Sequence, residues 1–457
     1  MTHSVPPADL DVDMDIEVRI YKKTLLRVIP IIMLGMFISY IDRANIGVLA
    51  GPMSKDLGLT AATFGLAAGL FYIGYCFFEI PSNMALSKYG ARIWLARIMV
   101  TWGIATMFMG LVQNETSLYI VRIMLGIAEA GFSPGALLFL AFWCTPRMLP
   151  KTYSMLNLAV PIALAVGSVL TSALLSLDGL LGLAGWRWAF LLEGIPAILL
   201  GIYIVFRLPN GPATAAWLDV SEKAYLAKAS AQRPDHAGHE LGQLWAVLRR
   251  PAAWLFCVLY FCMTIGYWTI AYFLPTIVRD QFHLGAAGAG FVSAIPWLFA
   301  AIVMVFVSKN VSRTGERTWH MTLLQIAGAV GLAIAALSGN PYLALVGISL
   351  AAAGFFGSLP TFNSMPAQLF TGGLAAVALA MINGLASLSG LAGPYLFGLL
   401  KDNTGSTTTG LLIMAGFFIA AAILAFTMSR WTDKVTGGLL HSEPIRVTDS
   451  APLTTNS

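Results

Sequence analysis

The sequence predicts an all-α polytopic membrane protein of twelve transmembrane helices, arranged as two six-helix bundles related by pseudo-symmetry. Three observations carry that expectation. Of the 457 residues, 58% are hydrophobic and only 11% are charged, with a mean hydropathy of +0.76, which excludes an ordinary soluble domain. Apolar runs near the ~20 residues needed to cross a bilayer recur twelve times along the chain. A basic turn also recurs: Ser87-Lys88-Tyr89-Gly90-Ala91-Arg92 reappears 225 residues later as Ser312-Arg313-Thr314-Gly315-Glu316-Arg317. Two such repeats imply a pseudo-two-fold bundle with a path between halves that rock about it.

The elements follow in order. Residues 1–27 form an N-terminal tail with Asp9, Asp11, Asp13, Asp15 and Glu17 and no apolar signal-peptide core, expected to be disordered and cytoplasmic. The first bundle, 28–206, takes apolar runs near 28–50, 63–86, 93–113, 117–143, 152–176 and 186–206. A long polar central loop, 207–250, carries Arg207, Lys223, Lys228, Arg233, Arg249 and Arg250 and divides the chain six plus six. The second bundle, 251–430, takes runs near 252–277, 286–307, 319–337, 341–370, 373–399 and 408–429, and 431–457 is a second cytoplasmic tail. With both termini cytoplasmic, twenty Lys and Arg residues fall on that side against Lys55, Arg187, Arg279 and Lys401 on the other. That asymmetry fixes the multi-pass topology, and the inner (plasma) membrane is the expected location. Anionic lipid accounts for the net charge of +5, so no nucleic-acid partner is implied. Cys76, Cys144, Cys257 and Cys262 all lie in apolar runs and read as small core residues, not disulfide partners.

Against this background, charges inside the first bundle stand out. Asp42 and Arg43 interrupt the first run and Arg122 and Glu129 the fourth. An ionisable residue at membrane depth faces a bundle interior or a wet cavity and is a functional candidate by default. Arg122 and Glu129 are seven apart, about 700° of helix and so within roughly 20° of one face, whereas the neighbours Asp42 and Arg43 diverge by ~100° and serve different partners. Burial penalises a charged carboxylate and a nearby guanidinium favours it, so Asp42 and Glu129 are proton-coupling candidates. Arg43 and Arg122 are substrate candidates, since a guanidinium holds a carboxylate through two parallel bonds. Tyr40 and Tyr75 are hydroxyl candidates, donating to substrate or accepting from an arginine. Glu79 is expected to serve as a gate or to pair with Arg97, and Glu193 to be structural. In the second bundle, which has no charge inside its apolar cores, Tyr267, Trp268, Tyr272, Asn363 and Asn383 are the polar and aromatic candidates. Lys88, Arg92, Arg313 and Arg317 of the basic turns are expected to close the cytoplasmic side in the outward-open state. A permanent ion pair between the first and fourth helices is the structural alternative, and the sequence leaves open which carboxylate pairs with which arginine.

The repeated basic turn and six-plus-six layout resemble the major facilitator superfamily. Ile41-Asp42-Arg43-Ala44-Asn45-Ile46-Gly47, Glu79-Ile80-Pro81-Ser82-Asn83, Gly126-Ile127-Ala128-Glu129-Ala130-Gly131-Phe132-Ser133-Pro134-Gly135 and Gly185-Trp186-Arg187-Trp188-Ala189-Phe190 resemble its anion:cation symporter family, and Leu177 to Trp186 with the region of the first two helices is most similar to bacterial 4-hydroxyphenylacetate, phthalate and tartrate permeases. The resemblance implies proton-coupled uptake of a small organic anion, an aromatic or hydroxy carboxylate, by alternating access. It associates Asp42 and Glu129 with proton coupling, Arg43 with the anion and Asn383 with the substrate site; Arg122 matches the family's second arginine, and Asp42 is one of the partners open to it. Ser87 replaces the acid usual in the superfamily's basic turn, and Phe356-Gly357-Ser358 stands where some members have Trp. The partners expected are a small organic anion, a proton and the bilayer, with the chain acting as a monomer. No nucleophile, metal or phosphate pattern appears, so no enzyme activity, metal or cofactor is expected. A proton-coupled drug or metabolite exporter and a non-transporting sensor are the competing functions.

Overall fold

The computed structural model describes residues 7–145, 148–231, 245–370 and 373–435 of the chain. A helix α1 (Pro7–Arg27) leads into the first half: α2 (Ile29–Leu57), α3 (Ala61–Tyr89), α4 (Ala91–Met109), α5 (Glu115–Glu129) with α6 (Phe132–Trp143) as one crossing in two pieces, α7 (Leu149–Leu174) and α8 (Gly185–Arg207). The central segment contains α9 (Val220–Ala231). The second half holds α10 (Pro251–Phe282), α11 (Ala286–Val292) continued by α12 (Ala294–Thr314), α13 (Thr318–Leu337), α14 (Pro341–Ser364), the one-turn α15 (Pro366–Leu369), α16 (Gly373–Ser387) continued by α17 (Ser389–Thr404), and α18 (Thr408–Val435). Among the described residues, eleven of these crossings are long and apolar enough to span a membrane by length and composition. The twelfth is α4, 19 residues long, which carries Arg92 and Arg97 and packs lengthwise on α8.

Helix limits follow local chemistry. Gly58 ends α2 in the left-handed region (φ 69°). The Thr60 hydroxyl then caps α3 by accepting from the Thr63 N–H at 3.2 Å, and the Asn114 side chain caps α5 by accepting from the Ser117 N–H at 2.9 Å. Both caps sit at the end of the bundle remote from the chain termini, here the far end. The Gly-Trp-Arg-Trp motif works there too: the Trp186 indole donates to Asp56 (2.7 Å), Arg187 to the Gly110 carbonyl (2.9 Å) and the Trp188 indole to the Leu180 carbonyl (2.9 Å), tying three turns together.

The halves meet through α2 on α10, α3 on α17 and α7 on α12. Exchanging first-half helices for their second-half counterparts maps the α3–α17 contact onto α12–α7 and returns α2–α10 to itself, which is the pseudo-two-fold read from the repeated turn. Close backbone approach makes the seam: a Cβ at Gly47 would lie 2.8 Å from the carbonyl oxygens of Ala271 and Tyr272, and one at Gly65 or Gly398 would collide with the backbone of Pro394 or Ala61. Asp402 of α17 caps the other half, its carboxylate accepting from the Ala61 (3.0 Å) and Ala62 (2.8 Å) N–H groups of α3. Among the described residues, hydrogen bonds joining α3 to the second half run from this far-end cap, through Tyr72 to Tyr272 at 3.2 Å, to Cys76 at mid-depth. At the opposite, near end, Lys88 and Arg313 are exposed and Arg92 and Arg317 half-buried. The described state is therefore joined at the far end.

Residues 7–27 correct the expectation of a disordered tail. The acidic stretch is helical, and α1 docks on the near end: Glu17 accepts from the Thr145 hydroxyl, Lys23 reaches both oxygens of Glu222 in α9 at 2.7 Å, and the Arg27 guanidinium lies 5.2 Å from the ring of Trp217. The docking partners come from elsewhere in the chain, so the composition of the tail alone does not reveal them.

Candidate functional site

Helix α2 is buried along Ile41–Ala50, so each polar group there needs a partner within the protein. Ser39 and Arg43, one turn apart, share the face toward α5. Arg43 Nε donates to Glu129 Oε1 at 2.8 Å, its Nη2 lies 2.6 Å from the same oxygen, and the Ser39 hydroxyl donates to it at 2.6 Å. All three contacts crowd one carboxylate oxygen. Glu129 Oε2 has no hydrogen-bond partner, and Arg43 Nη2 is in charge contact but off a hydrogen-bonding line. The pair is thus one-sided, not the two-bond fork of a saturated arginine–carboxylate pair. Three rings enclose the guanidinium: Tyr40 and Phe71 at 5.3 Å and Tyr75 at 4.9 Å from their centroids.

The crossing that carries Glu129 is broken directly after it. Helix α5 ends at Glu129, Ala130 turns out of helical conformation (ψ 133°), and Gly131 adopts φ 85° before α6 restarts at Phe132. A Cβ at Gly131 would strike the Ser82 side chain, which the Trp94 indole holds at 3.0 Å. The Glu-Ile-Pro-Ser-Asn and Glu-Ala-Gly motifs therefore meet at the break. Non-helical backbone at membrane depth is tolerated where protein or a cavity encloses it, and such breaks mark ion and substrate sites.

Asp42 looks elsewhere, as its ~100° offset from Arg43 requires. Its Oδ2 accepts from the Trp102 indole and from the Thr106 hydroxyl (3.1 Å), both on one face of α4, while Oδ1 has no hydrogen-bond partner. Asn45, one turn on, donates to Glu193 Oε2 at 2.7 Å, and Thr171 donates to Glu193 Oε1 at 2.6 Å. Both carboxyl groups are buried and held by neutral donors, in contrast to Glu129.

Arg122 departs from expectation. It is buried on the side of α5 that also carries Glu129, and Phe71 separates its guanidinium from that of Arg43, with 5.3 Å to the ring from each. It does not pair with Asp42. Its Nε and Nη2 donate to the carbonyls of Ala67 (3.1 Å) and Ala68 (2.6 Å) on α3. The physical reason is direction: Asp42 turns toward α4, on another side of α2. The expected Glu79–Arg97 pair also gives way, because Arg97 is exposed and stacks over Trp94 at 4.7 Å.

Other candidates fall at different distances from this centre. Tyr40 and Tyr75 are at it. Asn383 on α16 is exposed and donates to its own helix at Leu379 O (2.9 Å), while its neighbour Gly384 faces Cys76 of α3 (3.9 Å), placing Asn383 at the seam without contact to Arg43. Tyr267, Trp268 and Tyr272 form an aromatic wall on α10: Tyr267 stacks on Phe355 at 4.3 Å, and Trp268 lies 4.9 Å from Tyr72 of the first half. Of the basic turns, Arg92 N–H donates to Asn210 at 3.2 Å and Lys88 lies 5.4 Å from the Tyr89 ring. Ser39, Trp102 and Thr106 were not evident from the sequence. Only Ser39, one turn before Arg43, left a signal in its spacing. Among the described residues, no cluster of three or more His, Cys, Asp or Glu side chains could hold a metal ion.

A membrane-spanning two-fold bundle with buried ionic groups at the middle of one half defines a secondary transporter. The chain belongs to the Major Facilitator Superfamily, whose model matches residues 32–394. It is similar to a "Putative tartrate transporter" of Agrobacterium vitis, 40% identical over 92% of this chain and 93% of that one, and to a "Quinolone resistance transporter" of Acinetobacter baumannii, 34% identical over 90% and 94%. A solved D-xylose-proton symporter shares the fold with a TM-score of 0.71 at 17% identity, covering 88% of this chain and 98% of that one. The resemblance to anion:cation symporter-like permeases of the superfamily holds, and the chain is a small-molecule transporter, not an enzyme.

Proposed function

We propose that the protein couples proton entry to uptake of a small organic anion, a hydroxy or aromatic carboxylate, by alternating access across the bacterial inner membrane with both termini cytoplasmic. The observation that carries this reading is the one-sided Arg43–Glu129 contact, enclosed by three aromatic rings beside a helix break. A substrate carboxylate and Glu129 compete for the same guanidinium. Protonating Glu129 removes its claim, Arg43 then takes the substrate, and the neutralised assembly crosses the occluded state. Asp42 is the second proton-coupling group. Arg122 supplies positive potential beside the site through Phe71 without contacting the anion in this state, and Asn383 reaches the substrate after the seam rearranges. With the near end cytoplasmic, the described state is inward-facing. Rocking opens the far end and brings together the basic turns of Lys88 and Arg92 and of Arg313 and Arg317. The unit of transport is the monomer.

The test is a thermal-shift screen of the purified protein against aromatic and hydroxy-acid carboxylates, followed by uptake of each hit into proteoliposomes. Symport is supported by accumulation when the outside is acidic and its loss when a protonophore collapses the gradient. The quinolone-named relative favours export by proton exchange as the second reading. Accumulation only in vesicles that are acidic inside selects that reading and overturns symport.

A further inference from the structure

Six tyrosines, Tyr40, Tyr72, Tyr75, Tyr260, Tyr267 and Tyr272, gather between the halves, and among them the Tyr267 hydroxyl is both fully buried and unpaired. Tyr72 and Tyr272 satisfy each other at 3.2 Å across the seam. Tyr40 and Tyr75 present their rings to Arg43. Tyr260 stacks on Phe362 at 4.4 Å. Tyr267 is fixed most firmly: its ring is parallel to Phe355 at 4.3 Å (6°), packed against Trp268 at 4.5 Å, and edge-on to Phe356 and Trp297 at 5.3 and 6.2 Å. The residue is 4% exposed, yet its hydroxyl has no hydrogen-bond partner. A run of ring contacts joins Tyr267 to the Arg43 site in the other half: Trp268 lies 4.9 Å from Tyr72, Tyr72 lies 5.1 Å from Phe71, and Phe71 lies 5.3 Å from the Arg43 guanidinium.

Four aromatic neighbours hold this ring, and Phe in its place would keep every ring contact. A buried unpaired hydroxyl is a net liability unless something binds it. We propose that the Tyr267 hydroxyl is a substrate-specificity determinant, hydrogen-bonding a hydroxyl group of the anion whose carboxylate Arg43 holds. This rests on the carboxylate reading of the site and narrows it to hydroxylated carboxylates. The substrate then bridges the halves, ionic at one end and hydrogen-bonded at the other. A site built to pair a substrate hydroxyl rejects the analogue lacking it, since the protein group is left unpaired.

The test uses purified full-length protein, wild type and Tyr267→Phe, in counterflow and thermal-shift assays with two matched pairs of probes: tartrate against succinate, and 4-hydroxyphenylacetate against phenylacetate. Wild type is expected to favour the hydroxylated member of at least one pair by roughly tenfold in KM, the range of one well-made hydrogen bond. Tyr267→Phe is expected to erase that preference by raising KM for the hydroxylated member, with the deoxy member and maximal exchange rate unchanged. The ligand-free variant is expected to melt at or above the wild-type temperature, because an unpaired buried group has been removed; a purely structural hydroxyl gives a lower melting temperature and an unchanged preference, which overturns the proposal. Carboxylates that bind wild type without regard to the hydroxyl overturn this inference alone. Failure of all four to bind wild type overturns the carboxylate reading and the inference with it.

Discussion

In the proposed scheme Arg43 serves both ligand recognition and stability, and the two roles separate by choice of substitution. Arg43→Ala leaves Glu129 buried with only Ser39, and breaking one side of a buried pair costs about 3–5 kcal/mol. The variant is expected to melt well below wild type, and adding Glu129→Gln to it recovers part of the loss, a coupling of about 1 kcal/mol or more read by a double-mutant cycle of detergent melting curves. Additive losses contradict the pairing. Arg43→Lys keeps the charge but not the planar fork, so it is expected to fold while losing at least about tenfold in substrate affinity. The residues of this site were legible because acid and base inside apolar runs violate the membrane's chemistry. Their pairing was not legible: helical spacing fixes the angle between Asp42 and Arg43 but not how α2 is rotated against α4 and α5. Arg122 holds two carbonyls of α3 and not Asp42.

At the scale of single helices, the break after Glu129 and the cap on α3 are the features on which the proposed motion depends. Gly131 needs its left-handed backbone (φ 85°) and its missing Cβ, so Gly131→Ala is expected to lose about 1–3 kcal/mol in thermal denaturation and to displace Glu129. Stability and transport equal to wild type show that the break is dispensable. Asp402 reaches across the seam to two N–H groups of α3 and must let go when the far end opens. Asp402→Ala removes a cap of about 0.5–2 kcal/mol, enough to shift the balance of states by roughly two- to thirtyfold toward far-end opening. Faster modification of a single cysteine placed at Leu391, whose backbone packs against Gly69 of α3 across the seam, in a background without the four native cysteines, is the expected readout; an unchanged rate removes Asp402 from that role. Helix number and the six-plus-six division were plain from hydropathy, while α4 was marginal because Arg92 and Arg97 dilute it. The docking of α1 was hidden, since its partners Thr145, Trp217 and Glu222 lie far along the chain.

Across the whole molecule, the division of labour is uneven. Arg43, Arg122, Asp42, Glu129 and Glu193 are all in the first half, and the second half offers an aromatic wall. Such a layout suits one half that handles charge and protons and another that shapes the cavity for the rest of the substrate, with α2 on α10 as the pivot. The most direct measurement of this scheme compares Glu129→Gln with wild type in proteoliposomes, measuring substrate exchange without a gradient and accumulation with an inward proton gradient. Glutamine mimics the protonated carboxyl and leaves Arg43 permanently free for the anion. Exchange near the wild-type rate with accumulation lost is the expected result. Accumulation equal to wild type, or exchange abolished along with it in a correctly folded variant, contradicts competition between Glu129 and substrate for Arg43.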